Sequence, residues 1–138
     1  MLKIVTWILG IVVGVVVVLI LGINFLIGLG VNSASSKAMA RFDGDRVESL
    51  IALVDCETCG LRDRNHAVWA LGQLTDKRAL PVLYKYRTGR PCNHLREICQ
   101  YEISKAIRWT EGNSYMAPQF WRVMLKHDRF STAKVTVP

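Results

Sequence analysis

Hydrophobic residues follow two different patterns along the chain. Residues 4–30 contain no charged side chain, and only Thr6 and Asn24 among them are plainly polar. As a helix this segment would be about 40 Å long, more than the ~30 Å hydrocarbon core of a bilayer. The apolar region of a cleaved signal peptide has only about 7–15 residues. The pattern therefore predicts an uncleaved transmembrane anchor over residues 1–30, with residues 4–30 in contact with lipid.

The segment after the anchor has a different composition. Residues 31–37 (VNSASSK) are small and polar, a composition that buries little apolar surface. It predicts a flexible linker over residues 31–44, followed by a folded domain over residues 45–130. Residues 131–138 are expected to form a frayed tail.

Within the folded domain, apolar residues recur at helical spacing behind N-capping side chains. Asp45 and Glu48 have the spacing of a capping box at the start of the first helix. Gly112 would stop the last one. The pattern predicts helices A1 (46–55), B1 (64–74), A2 (77–87) and B2 (94–111), capped by Asp45, Asp63, Asp76 and Asn93.

Two residues inside these helices are unfavourable for helix formation. Gly72 in B1 costs about 1 kcal/mol relative to alanine, so we expect another backbone to lie close to it. Pro81 in A2 removes one backbone hydrogen bond and should bend that helix near its first turn.

The helices also repeat. Ala67, Ala70 and Leu71 in B1 correspond to Ile103, Ala106 and Ile107 in B2 at an offset of 36 residues. A helical hairpin that recurs every 30–40 residues is typical of an α-solenoid. Two units bury little surface, and the apolar spacing of Phe120, Trp121, Met124 and Leu125 predicts a C-terminal capping helix. The predicted fold class is all-α: one transmembrane helix, two helical hairpins and a cap.

Residues 70–83 (ALGQLTDKRALPVL) resemble the bacterial HEAT-like repeats first noticed in phycobilisome lyases. The resemblance covers residues 45–112 and is strongest over residues 67–83, whereas the second unit has Arg108 at the position of the glycine. It implies an α-solenoid. Members of this family serve as scaffolds, regulators and sometimes lyases, so the fold does not choose among these functions.

The net charge and several individual histidines and tryptophans bear on whether the protein binds nucleic acid or is an enzyme. Residues 31–138 have a formal charge of +6, spread over the region without a nucleic-acid-binding motif, and this predicts a solvated surface. His66, His94 and His127 lack a partner at catalytic spacing, and Trp69 and Trp109 are expected to pack. Phosphate loops, nucleophile elbows and metalloprotease signatures are absent. We therefore expect no enzyme activity, no catalytic residue and no cofactor.

The four cysteines leave three alternatives. Cys56 and Cys59 fall in the A1–B1 loop, Cys92 in the A2–B2 loop and Cys99 on the inward stripe of B2, so stacking of the units should bring them to one edge. One alternative is disulfides from Cys56 and Cys59 to Cys92 and Cys99. A second is zinc, held by Cys56, Cys59 and Cys92 with His94 or Cys99. The third is unpaired thiols.

The sequence as a whole predicts a membrane-anchored scaffold or adaptor that binds another protein. A disulfide- or metal-stabilised thiol protein and a lyase-type enzyme are the alternatives. Lys3 is the nearest charge on one side of the anchor and Lys37 the nearest on the other, which favours an N-terminus inside and the domain outside the cytoplasm. Gly10 and Gly14 form a GxxxG motif that would allow the anchor to pair with a second copy.

Overall fold

The computed structural model describes residues 2–93 and 96–112. The described residues form five α-helices and a 3-10 turn, without a strand, which confirms the all-α prediction. The helices are α1 (Leu2–Met39), α2 (Arg46–Asp55), α3 (Leu61–Leu74), α4 (Leu80–Lys85) and α5 (Gln100–Thr110), and the 3-10 turn is Lys77–Ala79. The predicted capping helix and the tail at 131–138 lie outside the described residues.

Helix α1 has two halves with different surroundings. Residues 3–23 are all exposed, whereas Val31, Ala34, Ser35 and Ala38 are buried against α2 and α3. The helix is long and apolar enough to cross a membrane, and none of its most apolar window is buried.

The prediction of a flexible linker over residues 31–44 is therefore wrong for residues 31–39, which are helical. Their small side chains allow α1 to pack closely on the domain, so this segment contributes to the core. The Ser35 hydroxyl donates to the Val31 carbonyl at 2.8 Å, so its burial leaves no unpaired hydroxyl.

Helix α2 has the predicted bounds of A1. The Asp45 carboxylate accepts hydrogen bonds from the backbone N–H groups of Val47 and Glu48, and the Glu48 side chain accepts from the Asp45 N–H. This is the predicted capping box. Arg78 ties it to the next unit, because its guanidinium contacts Asp45 at 2.7 Å and Asp76 at 2.9 Å.

Helix α3 begins three residues earlier than predicted for B1. Its N-cap is Gly60, and Asp63 lies inside the first turn, where it pairs with Lys37 instead of capping the helix. The prediction of Asp63 as a cap is wrong because a partner on α1, 26 residues away in sequence, binds the carboxylate.

Predicted helix A2 is divided. Asp76 accepts from the Arg78 N–H as predicted, but a 3-10 turn precedes α4, and α4 ends at Lys85 instead of Arg87. Pro81 lies in the first turn of α4, where a missing N–H costs least. The result is a break in helix type before the proline.

Helix α5 begins later than predicted for B2. The Asn93 carbonyl accepts from the N–H groups of Arg96 and Glu97 in a turn, and the helix starts only at Gln100, with Cys99 as its N-cap. The Gln100 side chain donates to the Tyr86 and Ile98 carbonyls and so fixes this start. The helix ends at Thr110, and Gly112 has a φ of +82°, as expected of a stop glycine.

The core lies between the helices of the two hairpins and the second half of α1. Its largest fully buried members are Leu50, Leu53, Leu71, Leu83 and Ile103. Gly72 allows α3 and α5 to touch, because a Cβ there would lie 2.9 Å from both Cα and Cβ of Ala106. The predicted close approach at Gly72 is confirmed.

Candidate functional site

The second half of α1 packs on α3 through one aromatic and one ionic contact. A Cβ at Gly30 would lie 2.9 Å from Cη2 of Trp69, so the glycine makes room for the indole. About two turns further along α1, the Lys37 ammonium binds the Asp63 carboxylate at 2.6 Å. From the first contact to the second, the residue number increases on α1 and decreases on α3. The two helices are therefore antiparallel.

A groove lies beside these contacts, and we call it the α1–α3 groove. It has a volume of about 430 Å³ and is lined by Ser33, Ala34, Lys37, Arg62, Asp63 and His66. All six are supplied by two helices that the core holds in place, since Val31, Ala34 and Ala67 are buried behind them. The groove is therefore a preformed feature of the domain surface.

Positive charge prevails in the α1–α3 groove. The Lys37 ammonium lowers the pKa of Asp63 by hydrogen bonding, and Arg41 and Arg62 add to this effect through their charge. One anion thus faces three cations, and Arg62 itself is solvent-exposed. An electrostatic surface of this kind favours an acidic ligand.

His66 lines the groove, and Trp69 stacks against it. Their rings stack with centroids 5.3 Å apart and planes inclined by 27°. Partial desolvation lowers the pKa of His66, so the ring is predominantly neutral at pH 7. An apolar, uncharged wall thus adjoins the basic rim, a combination found in protein-binding surfaces.

The sequence predicts a surface or cap position for His66 and a packing role for Trp69. Trp69 does pack, and it lies against Gly30 of α1. His94 and His127 lie outside the described residues. Trp109 lies on α5, where the Lys105 ammonium sits 4.7 Å from its ring centroid. The α1–α3 groove was missed because α1 was not expected to extend beyond residue 30.

The cysteines are paired differently from the stacking prediction. Cys56 and Cys59 form a disulfide with each other, with Cα atoms 5.3 Å apart. Cys92 and Cys99 are free thiols whose Sγ atoms lie 3.2 Å apart. The predicted bonds between the two units are absent from the described residues, so that connectivity is wrong.

Local chain geometry explains this pairing. Cys56 is the C-cap of α2, and a turn in which Cys59 N–H donates to the Cys56 carbonyl brings the two side chains together. Cys99 is not two turns inside a helix but is the N-cap of α5, next to the loop that carries Cys92. Each pair is therefore joined by a local turn.

The edge predicted for the cysteines is nevertheless recognisable. Asp55, next to Cys56, accepts from the Tyr86 hydroxyl at 2.8 Å, and Tyr86 in turn accepts at its carbonyl from Gln100, next to Cys99. For zinc, the disulfide occupies two candidate ligands and His94 lies outside the described residues. No group of three or more potential ligands was found among the residues that are described.

The GxxxG motif lies in the exposed half of α1. A Cβ at Gly10 or at Gly14 would meet no atom within 4 Å, so both positions are open to a second helix. Pairing through this face stays a prediction.

Comparison with known families identifies one segment of this fold. Residues 63–86 match the PBS lyase HEAT-like repeat, and this range runs from the first turn of α3 to the end of α4. The match confirms the resemblance predicted from the same residues. No curated protein and no solved structure matches the chain significantly.

Proposed function

We propose that this chain, whose residues 63–86 match the PBS lyase HEAT-like repeat, is a single-pass membrane protein that binds another protein beside the bilayer. The observation that carries the proposal is the division of α1 into an exposed apolar half and a half buried in the repeat domain. Binding is the activity that we propose for this domain.

The exposed half of α1 has the dimensions of a membrane span. Residues 3–23 rise by about 31 Å at ~1.5 Å per residue, close to the ~30 Å of the hydrocarbon core. Phe25, Leu26 and Leu29 continue the exposed apolar surface, at 61%, 66% and 51% exposure. The lipid-facing surface would therefore extend to the domain itself, and the domain would lie against the bilayer.

The buried half of α1 argues for an anchor that is retained. Cleavage among the small residues 31–36 would remove Val31 and Ala34 from the core, together with the Gly30 surface on which Trp69 packs. Burial of a large apolar side chain such as Val31 stabilises a domain by about 1.5–3 kcal/mol. A domain of two hairpins has a small core, so the loss of one such side chain is a large part of its stability. The full chain is therefore more stable than a cleaved product.

The α1–α3 groove is the surface that we assign to the partner. Its basic rim and the adjoining His66–Trp69 stack fit an acidic segment that carries an apolar side chain. Because α1 forms one wall, a segment bound there would lie close to the lipid surface. The anchor would thus hold both the domain and its bound partner at the membrane surface.

Cross-linking in native membranes tests this proposal. A photo-reactive residue at His66 should capture one specific protein, which mass spectrometry then identifies. Arg62→Glu should lower the yield of that adduct about tenfold, since loss of one favourable charge contact and gain of a repulsive one is worth roughly 1.4 kcal/mol. Arg90→Glu makes the same charge change at an exposed loop position outside the groove and should leave the yield unchanged. An equal yield in both variants would contradict the proposed surface.

A further inference from the structure

Cys92 and Cys99 form a second cluster of reactive groups, separate from the α1–α3 groove. Cys92 lies in the loop between α4 and α5, Cys99 is the N-cap of α5, and their Sγ atoms are 3.2 Å apart without a bond. Since a disulfide has sulfurs about 2.05 Å apart, an approach of roughly 1 Å would join them. The two thiols are therefore already in contact.

The two thiols have different surroundings. Cys92 is partly exposed, and its Sγ accepts a hydrogen bond from the Tyr101 N–H, in the first turn of α5, at 3.2 Å. Cys99 is only 7% exposed, and its own N–H donates to Asn65 Oδ1 at 2.8 Å. Solvent therefore reaches Cys92 readily, whereas Cys99 is held in place behind it.

These surroundings also separate the acidities of the pair. The Tyr101 N–H lowers the pKa of Cys92, because it stabilises the thiolate. Burial raises the pKa of Cys99. The thiolate is the nucleophile in thiol–disulfide exchange, so the accessible sulfur is also the more reactive one.

We propose that Cys92 and Cys99 are a thiol–disulfide exchange site in which Cys92 attacks an incoming disulfide and Cys99 resolves the product. The Cys92 thiolate attacks one sulfur of R–S–S–R, the S–S bond of the reagent breaks, and R–S⁻ leaves. Cys99 then loses its proton to solvent and attacks Cys92 Sγ, which forms the Cys92–Cys99 bond and releases the second R–S⁻. Two thiols are oxidised and one disulfide is reduced to two thiols; an excess of small thiol reverses both steps.

The substrate class is an accessible disulfide on a small molecule or on an extended protein segment. Of the two thiols, Cys92 is the one that a disulfide in solution can reach, so the mixed disulfide forms there. Cys56–Cys59 is already closed and serves as an internal reference. The exchange site does not depend on the partner proposed for the groove.

Oxidised glutathione is a suitable probe, applied to the full chain in lipid nanodiscs. After a short incubation, alkylation without reductant and peptide mapping should show a Cys92–Cys99 linkage that reduced glutathione reopens. Iodoacetamide should label Cys92 at least about tenfold faster than Cys99 in the reduced protein. Recovery of both cysteines as free thiols under oxidised glutathione, or their linkage to Cys56 or Cys59, would overturn the proposal.

Two variants assign the roles within the pair. Cys99→Ser should accumulate one glutathionyl group on Cys92, because the resolving thiol is gone, whereas Cys92→Ser should react slowly or not at all. The double variant Cys56→Ser/Cys59→Ser should still form the Cys92–Cys99 linkage. Circular dichroism verifies that each variant is folded. If a variant fails to fold, peptide mapping of the unmodified chain still tests the Cys92–Cys99 linkage. Glutathionylation of Cys99 in preference to Cys92 would contradict the proposal that Cys92 is the attacking thiol and Cys99 the resolving one.

Discussion

Packing of α3 on α5 restricts the identity of residue 72. It lies in the middle of α3, where alanine would favour the helix by about 1 kcal/mol. A methyl group there would, however, lie 2.9 Å from the backbone Cα of Ala106, well inside contact distance. The closeness of α3 and α5 outweighs helix propensity at this position.

Gly72→Ala should therefore destabilise the domain. Overpacking of a core costs about 1–3 kcal/mol, and we expect a net loss in the free energy of unfolding despite the gain in propensity. Chemical unfolding of the full chain in detergent, followed by circular dichroism, measures it. Gly22→Ala is the matched control, since a Cβ at Gly22 meets no atom within 4 Å. A more stable Gly72→Ala variant would show that the two helices are not in contact.

Asp63 gives a second prediction, on pH. Lys37 lowers the pKa of Asp63 below its ordinary 3.8, so the folded state binds this proton less tightly than the unfolded chain does. The stabilisation is present above pH 3.8 and is lost as the pH falls through the folded-state pKa. Asp63→Asn should lower stability by at most about 1 kcal/mol at pH 7, because Lys37 is exposed and Asp63 is partly exposed, so solvent screens the pair. The difference from the unmodified chain should vanish in acid; a constant difference at all pH values would contradict the ion pair.

At the scale of elements, short-range signals predicted the fold well. The Asp45–Glu48 capping box defined α2, and the positive φ of Gly112 follows from its place after α5. The start of α5 could not be predicted, because it depends on Gln100 and Asn65 binding backbone groups of distant segments. The same reason applies to the Lys37–Asp63 pair in the groove.

The error over residues 31–39 is of another kind. Small polar residues are typical of linkers, yet serines and alanines also allow helices to pack closely when neighbouring surface is available. Ser35 satisfies its hydroxyl within α1, so polarity alone did not exclude burial. The cysteine pairs were likewise determined by local turns and not by stacking of units.

Val31→Asp distinguishes a packed helix from a linker. Val31 is fully buried, and an unpaired carboxylate in a core costs several kcal/mol. The variant should unfold the repeat domain or lower its melting temperature strongly. Ser36→Asp adds the same side chain at an exposed position of the same helix and should have little effect. Equal stability of the two variants would mean that residue 31 lies in a linker.

At the scale of the whole molecule, α1 completes a domain that has few repeats. Stacked repeats bury their faces only against neighbours. Helix α3 packs on α2, α5 and α1, so the second half of α1 covers the side of the first hairpin that a preceding repeat would cover. In the proposed membrane protein, the anchor and the N-terminal cap of the solenoid would be one helix, and that helix would set the orientation of the domain relative to the bilayer.

The charges that flank the proposed anchor predict the side of the membrane on which the domain lies. Lys3 lies at the start of the apolar half, and the next basic residue along the chain is Lys37. This asymmetry favours a cytoplasmic N-terminus. A fluorescent protein that folds only in the cytoplasm should stay dark when fused to the C-terminus and fluoresce when fused to the N-terminus. Fluorescence of the C-terminal fusion would reverse the topology.

Hydrogen exchange of the full chain in lipid nanodiscs tests most directly that one helix is both the anchor and part of the core. Amides of residues 31–38 should exchange as slowly as those of α3, because packing on the domain protects them beyond the reach of lipid. Residues 3–23 should be protected only while lipid is present. If residues 31–38 exchange as fast as an unstructured chain while α3 stays protected, the anchor and the repeat domain are joined by a flexible linker, and the account is wrong.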